Sequence, residues 1–423
     1  MKKNLLLFII AGIFTLASDG LFAQWTKTIL PNPPGGHGAL PGRIISLETS
    51  GSNIYAGTLG GNLYLSQDNG NSWTYIDTGL TTSDINSIKV INNKLYIGTY
   101  GSGIFTSTDN GKTWVGSSPS LSNKFIYSIQ VIDSSVFTGT WGGGIFTCSV
   151  NDTAWKQVNN GLTNLNVRVL GVKENRLFAG TWGDGIFVSD DKGESWMQSN
   201  TGITKLYIYT VTGDGPNVYI GNDEGVYSST DNGYSWTLMN QGLTNTYIRA
   251  LTIIHPNLIV GTSGEGVFVS MNTGSNWSPV DTGLTDGYIY CLAVSGTKLF
   301  AGSLNGEIWS REISEIITAV KEQNQNVVAN NFKLYQNYPN PFNPSTTINY
   351  QLSSRSLVEL KVYDALGREI KTLVNADESE GLHSINFNAS GIGSGIYFYK
   401  LKVTGLNGKG GNYVSVKKMI LLK

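Results

Sequence analysis

The sequence predicts an all-β chain: a seven-bladed β-propeller followed by a small antiparallel Ig-like β-sandwich. Three observations lead there. Tryptophan recurs with a period of 41 residues. Each period holds four short runs of alternating apolar residues, bounded by Gly, Asn and Asp turns. Beyond about residue 332 the period stops and a second set of alternating strands begins.

Composition agrees with this class. Of 423 residues, 52 are Gly, 14% are charged and 11% are aromatic. Such a chain suits many strands and many turns, and 40% hydrophobic content is ample for a core. The net charge is −1, so no basic field exists to attract nucleic acid or an anionic membrane. Cys148 and Cys291 fall about half-way round the repeat array from each other. They are expected as small buried hydrophobes rather than a disulfide.

The N-terminus reads as a signal peptide over residues 1–23. Lys2 and Lys3 supply the positive end, Leu5 to Leu16 the apolar stretch, and Leu21-Phe22-Ala23 a cleavage site before Gln24. The stretch is too short, and too interrupted by Ser18-Asp19-Gly20, for an integral membrane span.

The repeat occupies residues 24–312. Trp73, Trp114, Trp155, Trp196, Trp236 and Trp277 are spaced by 41, 41, 41, 40 and 41 residues. Most close a motif of the form Ser-x-Asp-x-Gly-x-x-Trp, with its acids at Asp68, Asp109, Asp191 and Asp231. The Trp277 copy has Asn272 instead, and the Trp155 copy keeps little beyond the Trp. One period reads as strands Ile85–Ile91, Lys94–Thr99, Gly103–Ser107 and Trp114 onward. Four strands per 41 residues is the size of a propeller blade. Inner strands start near Ile44, Ile85, Ile126, Val167, Ile208, Ile248 and Ile289, which counts seven. The seventh copy lacks its fourth strand, and Trp25 stands alone ahead of the array. The N-terminal strand at Trp25 is therefore expected to complete the last blade, removing an exposed edge.

The motif resembles the Asp-box, or BNR, repeat of sialidase-type propellers, also found in xyloglucan-degrading propellers and sortilin-like receptors. The resemblance covers roughly residues 24–312 and implies the fold. It says little of function, because the box lies in the turn between the third and fourth strands. In that turn Asp caps backbone N–H groups, Gly takes a positive φ, and Trp packs between blades. Asp68, Asp109, Asp191 and Asp231 are thus read as structural, with Trp73, Trp114, Trp196, Trp236 and Trp277. Trp114→Ala is expected to cost about 3–5 kcal/mol.

Residues 313–331 read as a linker, ending in a polar Glu322-Gln-Asn-Gln-Asn run. The last domain, residues 332–423, opens on Tyr338-Pro339-Asn340-Pro341-Phe342-Asn343-Pro344-Ser345-Thr346. Expected strands follow at Thr347–Leu352, Val358–Tyr363, Glu369–Leu373, His383–Phe387, Ile396–Val403 and Tyr413–Leu422. The opening motif, together with Val362-Tyr363-Asp364, Gly395-Ile396-Tyr397-Phe398 and the terminal Lys417-Lys418-Met419-Ile420-Leu421, resembles the type A sorting domain of the type IX secretion system. That resemblance implies a Bacteroidota-like source, type IX machinery as a partner, and passage across the outer membrane. Release or surface attachment would follow, so the chain is expected to be secreted or on the outer cell surface. A generic carbohydrate-binding or Ig-like module is the alternative.

Repeat alignment sends two rings of side chains to the face where inner strands begin. The inner-strand ring reads Ile45, Asn86, Tyr127, Arg168, Tyr209, Arg249 and Tyr290. The loop ring reads Leu59, Tyr100, Trp141, Trp182, Asp223, Ser263 and Leu304, with Asp184, Glu224 and Glu265 nearby. Trp141 and Trp182 stand where other copies carry Leu, Ser or Asp, so the fold does not demand an aromatic there. Aromatics beside Arg and carboxylates suit a glycan or a protein ligand. Tyr100, Tyr127, Trp141, Trp182, Tyr209, Tyr290, Arg168, Arg249, Asp184 and Glu224 are the candidate ligand-binding residues. The other reading is that the aromatics only plug the channel mouth.

The competing reading is a glycoside hydrolase, sialidase-like or glucan-degrading. Arg43-Ile44-Ile45 resembles a sialidase first-arginine motif, and Arg168 and Arg249 could join it. A regular period leaves no long insertion for a deep pocket, and no Tyr/Glu pair stands out, so no catalytic residue is assigned. An assembly-factor role, as in photosynthetic cells with similar repeats, is disfavoured by the sorting motif. No cofactor or metal is expected: His37, His255 and His383 lack ligand spacing. Gly142-Gly143-Gly144 lies between strands, not before a helix. The chain is expected to be monomeric.

Overall fold

The structure, a computed structural model, describes residues 24–33, 42–76, 84–150, 152–320, 332–405 and 413–422. The signal peptide and most of the expected linker, residues 321–331, lie outside the described residues. The chain divides into two compact units, one ending at Ile317 and one starting at Thr318.

The first unit contains seven four-stranded antiparallel sheets among the described residues. Their inner strands are Ile44–Ser50, Ile85–Ile91, Ile126–Ile132, Val167–Lys173, Thr210–Asp214, Ile248–Ile254 and Ile289–Ser295. Each packs against the next, and the last packs against the first, so the sheets close a ring. Second strands such as Leu95-Tyr96-Ile97 bury side chains on both faces, because each blade is sandwiched between two others. In six of the sheets the outer strand is only two residues long, as at Val115–Gly116. The seventh sheet takes its outermost strand from the N-terminus: Thr26, Lys27 and Thr28 pair with Ser310, Trp309 and Ile308. Ring and chain ends are thereby held by one ladder.

The Ser-x-Asp-x-Gly-x-x-Trp turn is a hydrogen-bonded knot. In the first copy Ser66 Oγ donates to Asp68 Oδ1 at 2.8 Å and accepts from Gly70 N at 2.8 Å. Asp68 also accepts from Ser72 N and Ser72 Oγ, at 2.8 and 2.6 Å. Asn69 and Gly70 both take positive φ, 54° and 81°. The Ser72 hydroxyl and amide hold Asp68 at a pKa of about 2, and Ser235 does the same for Asp231. Asp109, bonded to Thr113, and Asp191 shift the same way.

These folded-state values lie below the ordinary 3.8. The stabilisation is therefore complete above pH about 4 and drains as pH falls toward about 2. Thermal melts across that window are expected to show a falling Tm. The slope should flatten when the four acids become Asn, the residue already present at position 272. A slope unchanged by those substitutions would remove the box acids from the acid response.

Four of the motif tryptophans tie their blade to the one before. Trp155, Trp196, Trp236 and Trp277 donate Nε1 to the carbonyls of Ser117, Val158, Ser199 and Met239, at 2.7–2.9 Å. Trp25 donates Nε1 to Val280 O at 2.5 Å, one period beyond Met239. It thus occupies the packing position of the seventh sheet. Trp114 differs: it is only half-buried, and its Nε1 meets no acceptor among the described residues. The large cost expected for Trp114→Ala belongs instead to a copy such as Trp236, where burial and hydrogen bond coincide.

Residues 313–320 are helical, not an extended linker. Ile313, Ile316, Ile317 and Val320 recur at helical spacing, a period that the neighbouring polar run obscures. Ile316 and Val320 are buried. Both cysteines are free; Cys148 is buried, whereas Cys291 is half-buried beside the channel.

The second unit is an antiparallel sandwich. One sheet orders Lys333–Leu334, Ser345–Leu352 and Gly381–Asn388; the other orders Glu369–Glu378, Ser356–Asp364, Gly395–Gly405 and Tyr413–Leu421. Alternation puts Ile348, Tyr350, Leu352, Val358, Leu360, Val362, Tyr399, Leu401 and Val403 between the sheets.

Candidate functional site

All seven inner-strand ring residues, Ile45 through Tyr290, line one cavity of about 450 Å³ at the mouth of the propeller channel. The reason is local. In six sheets the ladder skips one residue at the start of the inner strand: Ile45, Asn86, Tyr127, Arg168, Arg249 and Tyr290 are left unpaired. A β-bulge bends the strand and re-aims that side chain. The flanking residues, such as Ile126 and Ser128, stay in the ladder and are buried.

Of the loop ring, Leu59 and Tyr100 also line the cavity. Trp141 and Trp182 join it through ring contacts. Tyr100, Tyr127, Trp141 and Trp182 form a chain with centroids 5.8, 5.7 and 5.9 Å apart, and Trp182 continues to Tyr209 at 5.7 Å. Tyr209 then stacks on Tyr247 at 5.0 Å, and their hydroxyls bond at 2.6 Å. Burial and that bond push the Tyr209 phenol well up.

Three arginines stand on this arc. Arg168 lies 5.3–5.5 Å from the ring centroids of Tyr127, Trp182 and Tyr209. Arg249 sits over Tyr247 at 4.5 Å and Tyr209 at 4.8 Å, and Arg43 over Tyr290 at 4.4 Å. Arg249 Nε donates to Ser263 Oγ at 3.0 Å. The Nε atoms of Arg168 and Arg43 are buried without an acceptor among the described residues. Burial, and then the like charge of Arg249, lower the pKa of Arg168. Ring faces hold a guanidinium but accept none of its N–H bonds in plane. Asp84 is the one carboxylate among the cavity-lining residues, and it accepts from Gly60 N at 2.7 Å.

The acids beside the loop ring go elsewhere. Asp184 and Glu224 are not among the residues lining the cavity. Thr163 donates to Asp184 at 2.5 Å, Tyr227 to Glu224 at 2.6 Å, and Thr204 also to Glu224. Glu265 accepts likewise from Thr244. These threonines end a repeated Asn-x-Gly-Leu/Ile-Thr segment, as in Asn200-Thr-Gly202-Ile-Thr204. Its Asn clamps the same loop: Asn200 accepts from Ile186 N and donates to Asp184 O, both at 2.9 Å. Its Gly is forced, because a Cβ on Gly202 would stand 2.0 Å from the Trp236 carbonyl.

A third ring went unread in the sequence. One position before each inner strand stand Arg43, Asp84, Phe125, Asn166, Tyr207, Tyr247 and Tyr288. Phe125, Tyr207 and Tyr288 are exposed on the rim, with Leu59 and Leu165. The same repeat alignment, shifted back by one residue, would have shown it.

Comparison with curated protein sequences returns no match. Solved structures share the fold. YCF48 bound to D1 peptide aligns at 16% identity with TM-score 0.58, over 69% of this chain and 97% of that one. The WD40 beta propeller domain of Doa1 aligns at 14% identity with TM-score 0.55, over 70% and 99%. The extracellular domain of the hybrid two-component system BT3049 from B. thetaiotaomicron aligns at 15% with TM-score 0.55, over 94% of this chain but 57% of that one. Among the described residues no helix is long and apolar enough to cross a membrane. Residues 336–421 match the family model of the secretion system C-terminal sorting domain. The chain is accordingly a β-propeller carried to the cell surface or outside by a type IX sorting domain.

Proposed function

We propose that the propeller is a recognition module that binds a carboxylate-bearing segment of a protein in the cavity ringed by Arg43, Arg168 and Arg249. The carrying observation is the Arg168 guanidinium, set among aromatic rings with a buried Nε that no acceptor among the described residues satisfies. A buried cation without an anion is costly, and a carboxylate offers the two oxygens a guanidinium fork takes.

A peptide is favoured over a glycan because the rings are already engaged with one another and with arginines. Sugar stacking uses an open aromatic face. The rim also mixes aliphatic Leu59 and Leu165 with Phe125 and Tyr207, which suits peptide side chains. YCF48, of similar fold, is a propeller with a bound peptide. Glycoside hydrolysis would need two carboxylates across the cavity, and Asp184 and Glu224 are tied to threonines outside its lining.

Titration of the purified chain with Asp/Glu-rich peptides, their amidated Asn/Gln counterparts, and neutral and acidic oligosaccharides tests this reading. Saturable binding of the acidic peptides alone, weakening with salt, is expected. Preference for an oligosaccharide, or turnover of a glycoside, would replace it.

A further inference from the structure

The sorting domain carries a surface that the propeller reading does not involve. Its first motif and its last strand meet. Gln336 Nε2 donates to Lys418 O at 2.7 Å, and Asn340 Nδ2 to the same carbonyl at 3.4 Å. Ile420 N donates to Asn340 Oδ1, Phe342 N to Ile420 O, and Leu422 N to Phe342 O, at 2.9, 2.9 and 3.0 Å. Phe342 pairs with Leu421 in parallel register. The family match runs from 336 to 421, so the two ends of the matched segment lie side by side.

Packing accounts for only half of these residues. Asn337 is buried and bonded to the Tyr399 hydroxyl, Pro339 O and Thr346. Phe342, Met419 and Leu421 are core. Tyr338 is 82% exposed and Leu422 53% exposed, and Lys418, whose carbonyl takes the Gln336 and Asn340 bonds, is exposed on the last strand. The Tyr338 backbone is held by two 3.0 Å bonds with Thr347. Its side chain makes no hydrogen bond or ring contact among the described residues. An aromatic ring presented on a fixed backbone, contributing nothing to its own domain, is the anatomy of an interface anchor.

We infer that the type IX export machinery reads a composite surface, built from Tyr338 of the opening motif, Lys418 of the last strand and Leu422 just beyond that strand. The signal then exists only in the folded domain, because the two segments are 80 residues apart and are joined by the ladder. The complementary surface on the machinery would pair an apolar slot with a carboxylate for Lys418.

The test uses the full chain expressed in a bacterium that has type IX machinery, with exported and periplasmic protein quantified by immunoblot. Tyr338→Ala and Leu422→Ala are each expected to reduce export by about tenfold or more, the loss an interface anchor brings on truncation. The melting temperature should stay unchanged. Tyr338→Phe should be exported normally. So should Leu366→Ala, an equally exposed apolar residue in a turn of the same domain. Normal export of Tyr338→Ala would overturn the proposal and leave the terminal strand as a linear signal. A lowered melt for Tyr338→Ala, or loss of export with Leu366→Ala, would overturn it by giving Tyr338 a structural role or the whole domain a general sensitivity.

Discussion

Trp236→Ala is expected to cost about 3–5 kcal/mol of unfolding free energy. Trp236 is 4% exposed and packs with Phe178, Ile186, Ile208, Val218 and Tyr227 from two adjoining blades. Its Nε1 bonds Ser199 O at 2.9 Å, and its backbone N bonds Thr201 O at 2.9 Å. Truncation leaves a cavity between blades and strands the Ser199 carbonyl. Collapse cannot repair it, since the ring fixes the distance between neighbouring sheets. Trp114→Ala should cost clearly less, because that indole is half-buried and lacks the bond. Denaturant unfolding of the two variants beside the parent checks the order; equal losses would show that blade packing, not the hydrogen-bonded indole, sets the cost.

Arg168→Met is expected to separate stability from binding. This guanidinium is set beside Arg249 and its Nε has no acceptor among the described residues. Its three ring contacts recover about 0.5–2 kcal/mol each, against a desolvation cost of several kcal/mol for a buried ion. Met fills similar volume and removes the charge, so the melting temperature should hold or rise. Peptide binding should weaken by about 30-fold or more, the roughly 2–5 kcal/mol that follows truncation of one partner in a buried charged contact. A lowered melt with affinity intact would recast Arg168 as a structural plug of the channel.

Much of this molecule is local in origin and was legible as such. The Ser-x-Asp-x-Gly-x-x-Trp turn marks most blades because its bonds span four residues, from Ser66 to Gly70. Most strands of the sandwich follow their alternation within a residue or two, but the one expected at Glu369–Leu373 runs on to Glu378 and the short Lys333–Leu334 went unread. The inner-strand ring from Ile45 to Tyr290 was legible too, since one period repeated around a closed ring must bring equivalent positions together. The helix at residues 313–320 was missed because a polar run follows four apolar positions too few to outweigh it. The rim residues Phe125, Tyr207 and Tyr288 were missed because they precede the strands rather than belong to them.

The sequence by itself determined the all-β class, the period, the sorting motif and the identity of the scaffold tryptophans. Each rests on hydrogen bonds and side-chain alternation within a few residues. Only the tertiary structure decided which of the candidate residues share a cavity. It turned Arg168 and Arg249 inward by a one-residue slip in the ladder, and it tied Asp184 and Glu224 to threonines some 20 residues away. It gave Arg168 Nε no acceptor among the described residues. A bulge costs no change in composition or period, and charge pairing depends on which blades meet across the ring. Neither is written in any local stretch of the chain.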